Sequence, residues 1–492
     1  MIELAAAVLV LVPLVGGGLA WVLPADGSRR VAAVAMAVTA VVGLGLSGVC
    51  FGQGALRAFG GLLMLDALGA YVLALTVVVA ALAMAASPRY LRHELESGAL
   101  RAVDEARYYA LVLWFLAGLV AIPLLDNLGL LWVAIEATTV VSALLVGITR
   151  TPQAIEAAWK YLILGTIGLG FALLGTLLAY ASSVPALGET SEALAWTRLV
   201  AVAPMLDPNM LRLAFLFALV GYGTKMGLVP FHTWLPDAHS QAPSPISALL
   251  SGVTLNAALY ALVRFHLVAI GGLGEGYSST LLIGFGLLTI AVALPFMVAQ
   301  EDLKRLLAYS SVEHMGILAL AIGFGGPLAL LGGTLHMGLH SLAKSSLFLS
   351  AGELVQQYRT RRLSRLRGAF GAAPIAGGAF GAGIVLLAGL PPSGIFATEF
   401  AIVLGGIQRG YVLAAAAAAL FLGLAFAALA FHGARLIFGQ PQSTTPQGGR
   451  GRWLAIRLAG PLAVVALLGL WTPDPIAAAL DAVRAVLGGT HG

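Results

Sequence analysis

Gly223-Thr224-Lys225-Met226-Gly227-Leu228-Val229-Pro230-Phe231-His232-Thr233-Trp234-Leu235-Pro236-Asp237-Ala238-His239-Ser240-Gln241-Ala242-Pro243 is the stretch on which the reading of this sequence turns. Most of it belongs to an apolar run over 211–238. That run is long enough to cross a bilayer, for which a helix needs about 20 mostly apolar residues. Yet it carries Lys225 and, about a turn and a half later, Pro230. Proline removes a backbone donor and clashes with the preceding turn, so the helix breaks there. A second overlong run, 373–408, is interrupted by Gly389-Leu390-Pro391-Pro392-Ser393-Gly394, with Pro391 at its centre. Ordinary proline kinks are common in membrane helices, but paired interruptions point to a substrate or ion path at mid-membrane.

The rest of the chain agrees with a membrane setting. Of 492 residues, 60% are apolar and 10% charged, against about 45–50% and about 25% in soluble domains. Too few charges are present to cover solvated surfaces, and the chain is too apolar to be disordered. Backbone groups in lipid must be satisfied internally, so the expectation is an all-α polytopic membrane protein. The net charge of +5 comes from basic residues scattered between apolar runs, which gives no footprint for nucleic acid. The single cysteine, Cys50, offers no disulfide framework, thiolate iron–sulfur site or Cys-rich zinc site. Met1-Ile2-Glu3 lacks a basic n-region, so the first apolar run reads as a retained helix.

Counting apolar runs gives about fourteen spans. They cover 2–23, 31–51 and 62–86, then, after a charged connector at 88–107, 108–126, 127–149, 158–181 and 211–238. The remainder are 244–270, 279–299, 304–324, 328–355, 373–408, 411–438 and 454–472, with a short helix at 475–487. The interrupted spans are the seventh and the twelfth, which suggests two repeats, 108–270 and 279–438. An N-terminal segment, 1–107, precedes them, and a loop, last span and short helix, 439–492, follow. Loops after even-numbered spans hold only Arg57, Arg198, Arg212 and Arg409, whereas the loops after odd-numbered spans hold most of the 27 Lys and Arg residues. The positive side is cytoplasmic, which places both termini outside the cytoplasm.

Charges inside spans are expensive and are functional candidates by default. Glu136 lies in span five and Lys225 in span seven, where they can form a pair that a passing proton switches; a static ion pair is the alternative. Span eleven carries His336, His340 and Lys344 at i, i+4 and i+8, on one helical face. Histidine titrates nearest neutral pH, so this ladder reads as a proton wire. A His-x3-His zinc site is one alternative, although the sequence shows no obvious third ligand, and two satisfied interhelical histidines are another. Glu399 follows the second interruption and suits an exit-side acceptor or a cap-region acid facing the lumen, while His314, in span ten beside Glu313, reads as a link between the two half-channels or as a core histidine. Asn256, in span eight, can hold water but carries no charge, and Arg264 is expected to snorkel or pair near the interface. The GxGxxG pattern at Gly43-Leu44-Gly45-Leu46-Ser47-Gly48 has no preceding strand and reads as helix packing. The polar stretch 440–452 reads as a loop without chemistry.

The stretch quoted first strongly resembles the antiporter-like membrane subunits of respiratory complex I, of membrane-bound hydrogenases and of Mrp cation/proton antiporters. So do Glu301-Asp302-Leu303-Lys304-Arg305-Leu306-Leu307-Ala308-Tyr309-Ser310-Ser311-Val312-Glu313-His314-Met315-Gly316 and His340-Ser341-Leu342-Ala343-Lys344-Ser345. Ser311-Val312-Glu313-His314-Met315-Gly316 and Trp132-Val133-Ala134-Ile135-Glu136-Ala137-Thr138-Thr139 look most like the hydrogenase-4 type F branch, a relative of complex I chain 4. The resemblance implies two inverted five-helix repeats and broken helices seven and twelve. It also implies a proton path through Glu136, Lys225, His336, His340, Lys344 and Glu399. Many relatives carry a lysine where Asn256 stands, which puts a fully charged central axis in doubt.

The expected function is proton translocation within a complex I-like respiratory or hydrogenase assembly in a bacterial or archaeal cell membrane. Iron–sulfur, nickel–iron or flavin centres and quinone are expected on partner subunits, with no cofactor or metal on this chain. The rival readings are a cation/proton antiporter subunit exchanging sodium and a silent scaffold subunit.

Overall fold

The computed structural model describes residues 1–438 and 451–488. The polar stretch read at 440–452 therefore lies outside the described residues except at its end. Among the described residues the chain is nearly all helix, and 11 helices are long and apolar enough to cross a membrane. Pro208–Met226, with Lys225, and Gly326–Tyr358, with His336, His340 and Lys344, are not among them, because their interior polar residues dilute the apolar run. A small antiparallel hairpin, Leu56–Ala58 against Leu63–Leu65, stands just before the third span.

Both boundaries of the third span move. The third span begins at Ala67, where Asp66 caps the first turn by accepting from the Gly69 amide at 2.8 Å. It continues to Glu96, through half of the charged connector read at 88–107. The extension is stable because its polar residues find partners on Gly326–Tyr358: Arg89 pairs with Glu353 at 2.9 Å, and Gln356 donates to Glu94 at 2.7 Å.

Both proline interruptions separate consecutive helices in a similar way. Pro208–Met226 stops at Gly227, whose φ of 87° suits a residue without Cβ, and the Leu228 amide returns to the Gly223 carbonyl at 2.8 Å. The chain resumes as Trp234–Gln241. Pro374–Leu387 is followed by Gly389 at φ 74°, with the Leu390 amide on the Val385 carbonyl at 3.2 Å. Gly394–Gln408 then starts under a Ser393 side-chain cap to the Ile395 amide at 3.1 Å.

The centre of the molecule is formed by Ser244–Leu273 and Leu303–Phe324, whose apolar windows are wholly buried. Peripheral helices expose Leu144, Ile163, Leu177, Phe400 and Leu420, as a lipid-facing surface does. The Gly43 pattern is a packing contact: a Cβ there would meet Val77 at 2.9 Å. Arg264, expected near an interface, is fully buried and grips Asp66 with both nitrogens, at 2.8 and 2.6 Å. Its guanidinium lies 3.9 Å from the Trp196 ring centre and also donates to the Tyr260 hydroxyl at 3.0 Å. This fork ties the N-terminal segment to the first half of the molecule.

Candidate functional site

Helices Leu128–Val146, Pro152–Leu187 and Pro208–Met226 bring together the first group of interior residues. Lys225 lies one residue from the end of its helix, and its side chain is buried between the other two. Its ammonium donates to the Thr139 hydroxyl at 2.8 Å and to the Tyr161 hydroxyl at 2.5 Å. The Tyr161 ring centre is 4.6 Å away, and Tyr161 is stacked on Trp234 with centroids 4.5 Å apart. Trp234 is anchored by its indole N–H on the Thr224 carbonyl at 2.8 Å.

The expected direct pairing of Lys225 with Glu136 is not closed: no carboxylate lies within 4.0 Å of Lys225 among the described residues. Glu136 accepts instead from Thr166 at 2.8 Å, and its other carboxylate oxygen has no hydrogen-bond partner. The physical reason is layering. Glu136 and Thr139 are one turn apart on the same helix, and Lys225 reaches only the Thr139 layer.

The second group is built on Leu303–Phe324 and Gly326–Tyr358. His314 Nδ1 and His336 Nε2 share a hydrogen bond of 2.9 Å, and His336 Nδ1 bonds the Thr398 hydroxyl at 2.9 Å. His340 lies beside His314 with ring centroids 5.0 Å apart, and neither of its nitrogens has a hydrogen-bond partner. One helical turn further, Lys344 donates to the Leu307 carbonyl at 2.9 Å and to the Ser310 hydroxyl at 2.5 Å. Glu313 is buried with one carboxylate oxygen unpartnered.

Glu399, which the sequence placed only after the second interruption, joins the histidines as a third ligand-type group. His314, His336 and Glu399 each bring one such atom within 4.8 Å of the others. Their donor set could hold a metal ion in principle, but the nitrogens His314 and His336 turn to each other are already hydrogen-bonded together. Glu399 also borders the second interruption, since a Cβ on Gly389 would meet its carboxylate at 2.8 Å.

Asn256 is hydrogen-bonded to the helix that carries His336, His340 and Lys344. The helix containing it widens into a π turn over Leu250–Thr254, a distortion that frees backbone carbonyls from the regular ladder. The Gly252 carbonyl accepts from Asn256 at 2.9 Å and from Ser341 at 2.6 Å, and Asn256 also donates to Ser341 at 2.8 Å. Ser251 and Ser311 hydroxyls meet at 2.8 Å. Asn256 Oδ1 is left without a partner.

Sequence reasoning missed Thr139, Tyr161, Thr166, Trp234, Ser310 and Thr398. Helical hydroxyl residues usually bond their own backbone, so nothing local marks those that also face a charge. Trp234 lay within the quoted stretch, but its stacking partner is remote in sequence.

Residues 126–424 match the family model described as NADH:quinone oxidoreductase/Mrp antiporter, transmembrane. A polytopic helical membrane protein of the antiporter-like class is what this fold defines, and the chain belongs to that family. It is 40% identical to a hydrogenase-4 component F homolog of Methylacidiphilum infernorum, over 78% of this chain and 80% of that relative. A subunit of the archaeal membrane-bound sulfane sulfur reductase complex shares the fold with a TM-score of 0.86, at 22% identity, over 98% of this chain and 97% of that one. A subunit of the Mrp complex from Dietzia sp. superposes with a TM-score of 0.83, also at 22% identity, over 99% and 98%.

Proposed function

We propose that this chain is the proton-translocating membrane subunit of a complex I-like respiratory or hydrogenase assembly. One observation carries the proposal: titratable side chains are buried in both halves of an otherwise apolar bundle, each beside hydroxyls or other titratable groups. Such groups are costly in lipid unless they serve a path. Protons reach Lys225 from the Glu136 side and pass by the Asn256 and Ser341 junction. They continue along Lys344, His340, His314 and His336, and leave beside Glu399. Neutral Asn256 carries its share through hydrogen-bonded water rather than by ionising.

In this reading the chain has fourteen spans, with inverted repeats at 108–270 and 279–438. Each of the two proline-separated helix pairs acts as one interrupted span, and both termini face away from the cytoplasm. Quinone reduction or hydrogen evolution takes place on partner subunits, which hold the flavin, iron–sulfur or nickel–iron centres. Cys50, buried and donating to the Leu65 carbonyl at 3.2 Å, supplies no such ligand set. Redox steps on the partners change charge or hydration at one end of the path and bias whether Lys225 faces Glu136.

The test is a Lys225→Ala complex in inverted membrane vesicles. The expected result is an assembled complex with intact electron transfer and proton translocation reduced to the background of the deletion strain. Full pumping stoichiometry would sink the proposal. The likeness to the Mrp complex favours a second reading, cation/proton exchange along the same groups. Sodium uptake that depends on the assembled complex and on Lys225 would select it.

A further inference from the structure

How Lys225 is held bears on its part in the transport cycle, given the reading of Lys225 as a proton carrier. Around its ammonium the Thr139 and Ser142 hydroxyls each have a backbone carbonyl acceptor of their own. Thr139 donates to the Ile135 carbonyl at 3.1 Å, and Ser142 donates to the Thr138 carbonyl at 2.5 Å. With the Ser142 proton on the Thr138 carbonyl, the 2.8 Å contact between Ser142 and Tyr161 uses the Tyr161 proton. What remains for Lys225 is a pair of oxygen lone pairs, on Thr139 and Tyr161, at 2.8 and 2.5 Å. An ammonium has three donors and no acceptor, so an acceptor-only pocket matches it. The aromatic faces add to the match, with Nζ 4.6 Å from the Tyr161 ring centre and 6.0 Å from that of Trp234.

The same two helices repeat the arrangement one layer away. Glu136 sits three residues before Thr139 and is held by Thr166, which lies on the Tyr161 helix. Three residues of helix amount to about 4.5 Å of rise, within reach of a rotamer change in a lysine side chain.

We propose that Thr139, Tyr161 and Ser142 form a resting cradle for the Lys225 ammonium that competes with Glu136. Lys225 thus has two positions one helical turn apart, and the cradle keeps it from settling permanently on the carboxylate. Thr139 and Tyr161 are positioning residues of the transport cycle, with Ser142 orienting the Tyr161 hydroxyl and Trp234 the ring.

The experiment compares Thr139→Val, Thr139→Ser and Tyr161→Phe with Lys225→Ala, all in the assembled complex in inverted vesicles. Valine keeps the shape of threonine without the hydroxyl, and serine keeps the hydroxyl. Hydrogen bonds to charged groups are among the stronger ones, so Thr139→Val and Tyr161→Phe should each slow proton translocation about tenfold. Thr139→Ser should restore it to within about twofold of the unmodified complex, which a purely structural role for the side chain's bulk would not predict. If Tyr161→Phe does not assemble, the Thr139 pair decides. Translocation unchanged in Thr139→Val, or equally slow in Thr139→Val and Thr139→Ser, overturns the cradle while leaving the Lys225 reading intact. Normal translocation in Lys225→Ala overturns both.

Discussion

Arg264 and Lys225 are both fully buried cations, and the molecule holds them in opposite ways. Arg264 is locked by two bonds to the Asp66 carboxylate, at 2.8 and 2.6 Å, and is covered by the Trp196 ring. Lys225 meets only neutral oxygens, and so does Lys344, on the Leu307 carbonyl and Ser310. Arginine is effectively always charged and its planar fork suits a fixed carboxylate, whereas a buried lysine can give up its proton. A buried charge meant to stay is paired with its opposite. One meant to change state is left with neutral partners, so no opposite charge locks it.

The comparison can be broken first at its static end. Asp66→Ala should strand the Arg264 charge and cost about 3–5 kcal/mol, as removal of one partner from a buried pair does. It should be read as loss of assembled complex or a clear drop in the melting temperature of the purified protein. An undisturbed melting curve would show that the fork is not a structural lock. Next comes Lys225→Arg, which keeps the charge but removes the ability to release it. Translocation should fall to background although the complex assembles; pumping near the normal rate would mean that Lys225 acts only as a fixed charge.

His336→Gln sharpens the comparison within the second half. It removes a relay group bonded to both His314 and Thr398 at 2.9 Å. A proton-transferring group is worth about a hundredfold or more, so the transport rate of vesicles should drop by about that much. A twofold change or less would make the histidine cluster structural. The smallest effect is expected at Asn256→Ala, where neutral hydrogen bonds are lost and no titrating group disappears. A loss of about fivefold in rate, or less, follows from the worth of a neutral bond. Complete loss would mean that Asn256 is an obligatory step rather than a holder of water.

Much of the fold was legible because lipid imposes a simple rule on sequence: apolar runs of spanning length become helices. The rule failed where side-chain partners, not hydropathy, set the boundary. The third span outruns its apolar segment because Arg89 and Glu94 are paired across to Gly326–Tyr358. The residues before it form a hairpin too short to leave a pattern. For the site, the charges themselves were conspicuous, but their partners were not. Glu136 and Lys225 looked like a direct pair because both are ionisable and both lie in apolar runs; the layer offset that separates them is a matter of helix register.

The sequence by itself determined the solvent of this protein and the helical form that solvent demands. Each follows from local composition, since every residue in lipid carries its own transfer cost. Only the tertiary structure decided that Lys225 rests on Thr139 and Tyr161, that His314 and His336 are bonded to each other, and that Glu399 closes on them. Those contacts join helices far apart in the chain, and hydrogen-bond geometry over a few ångströms is fixed by packing and register, which no single segment encodes.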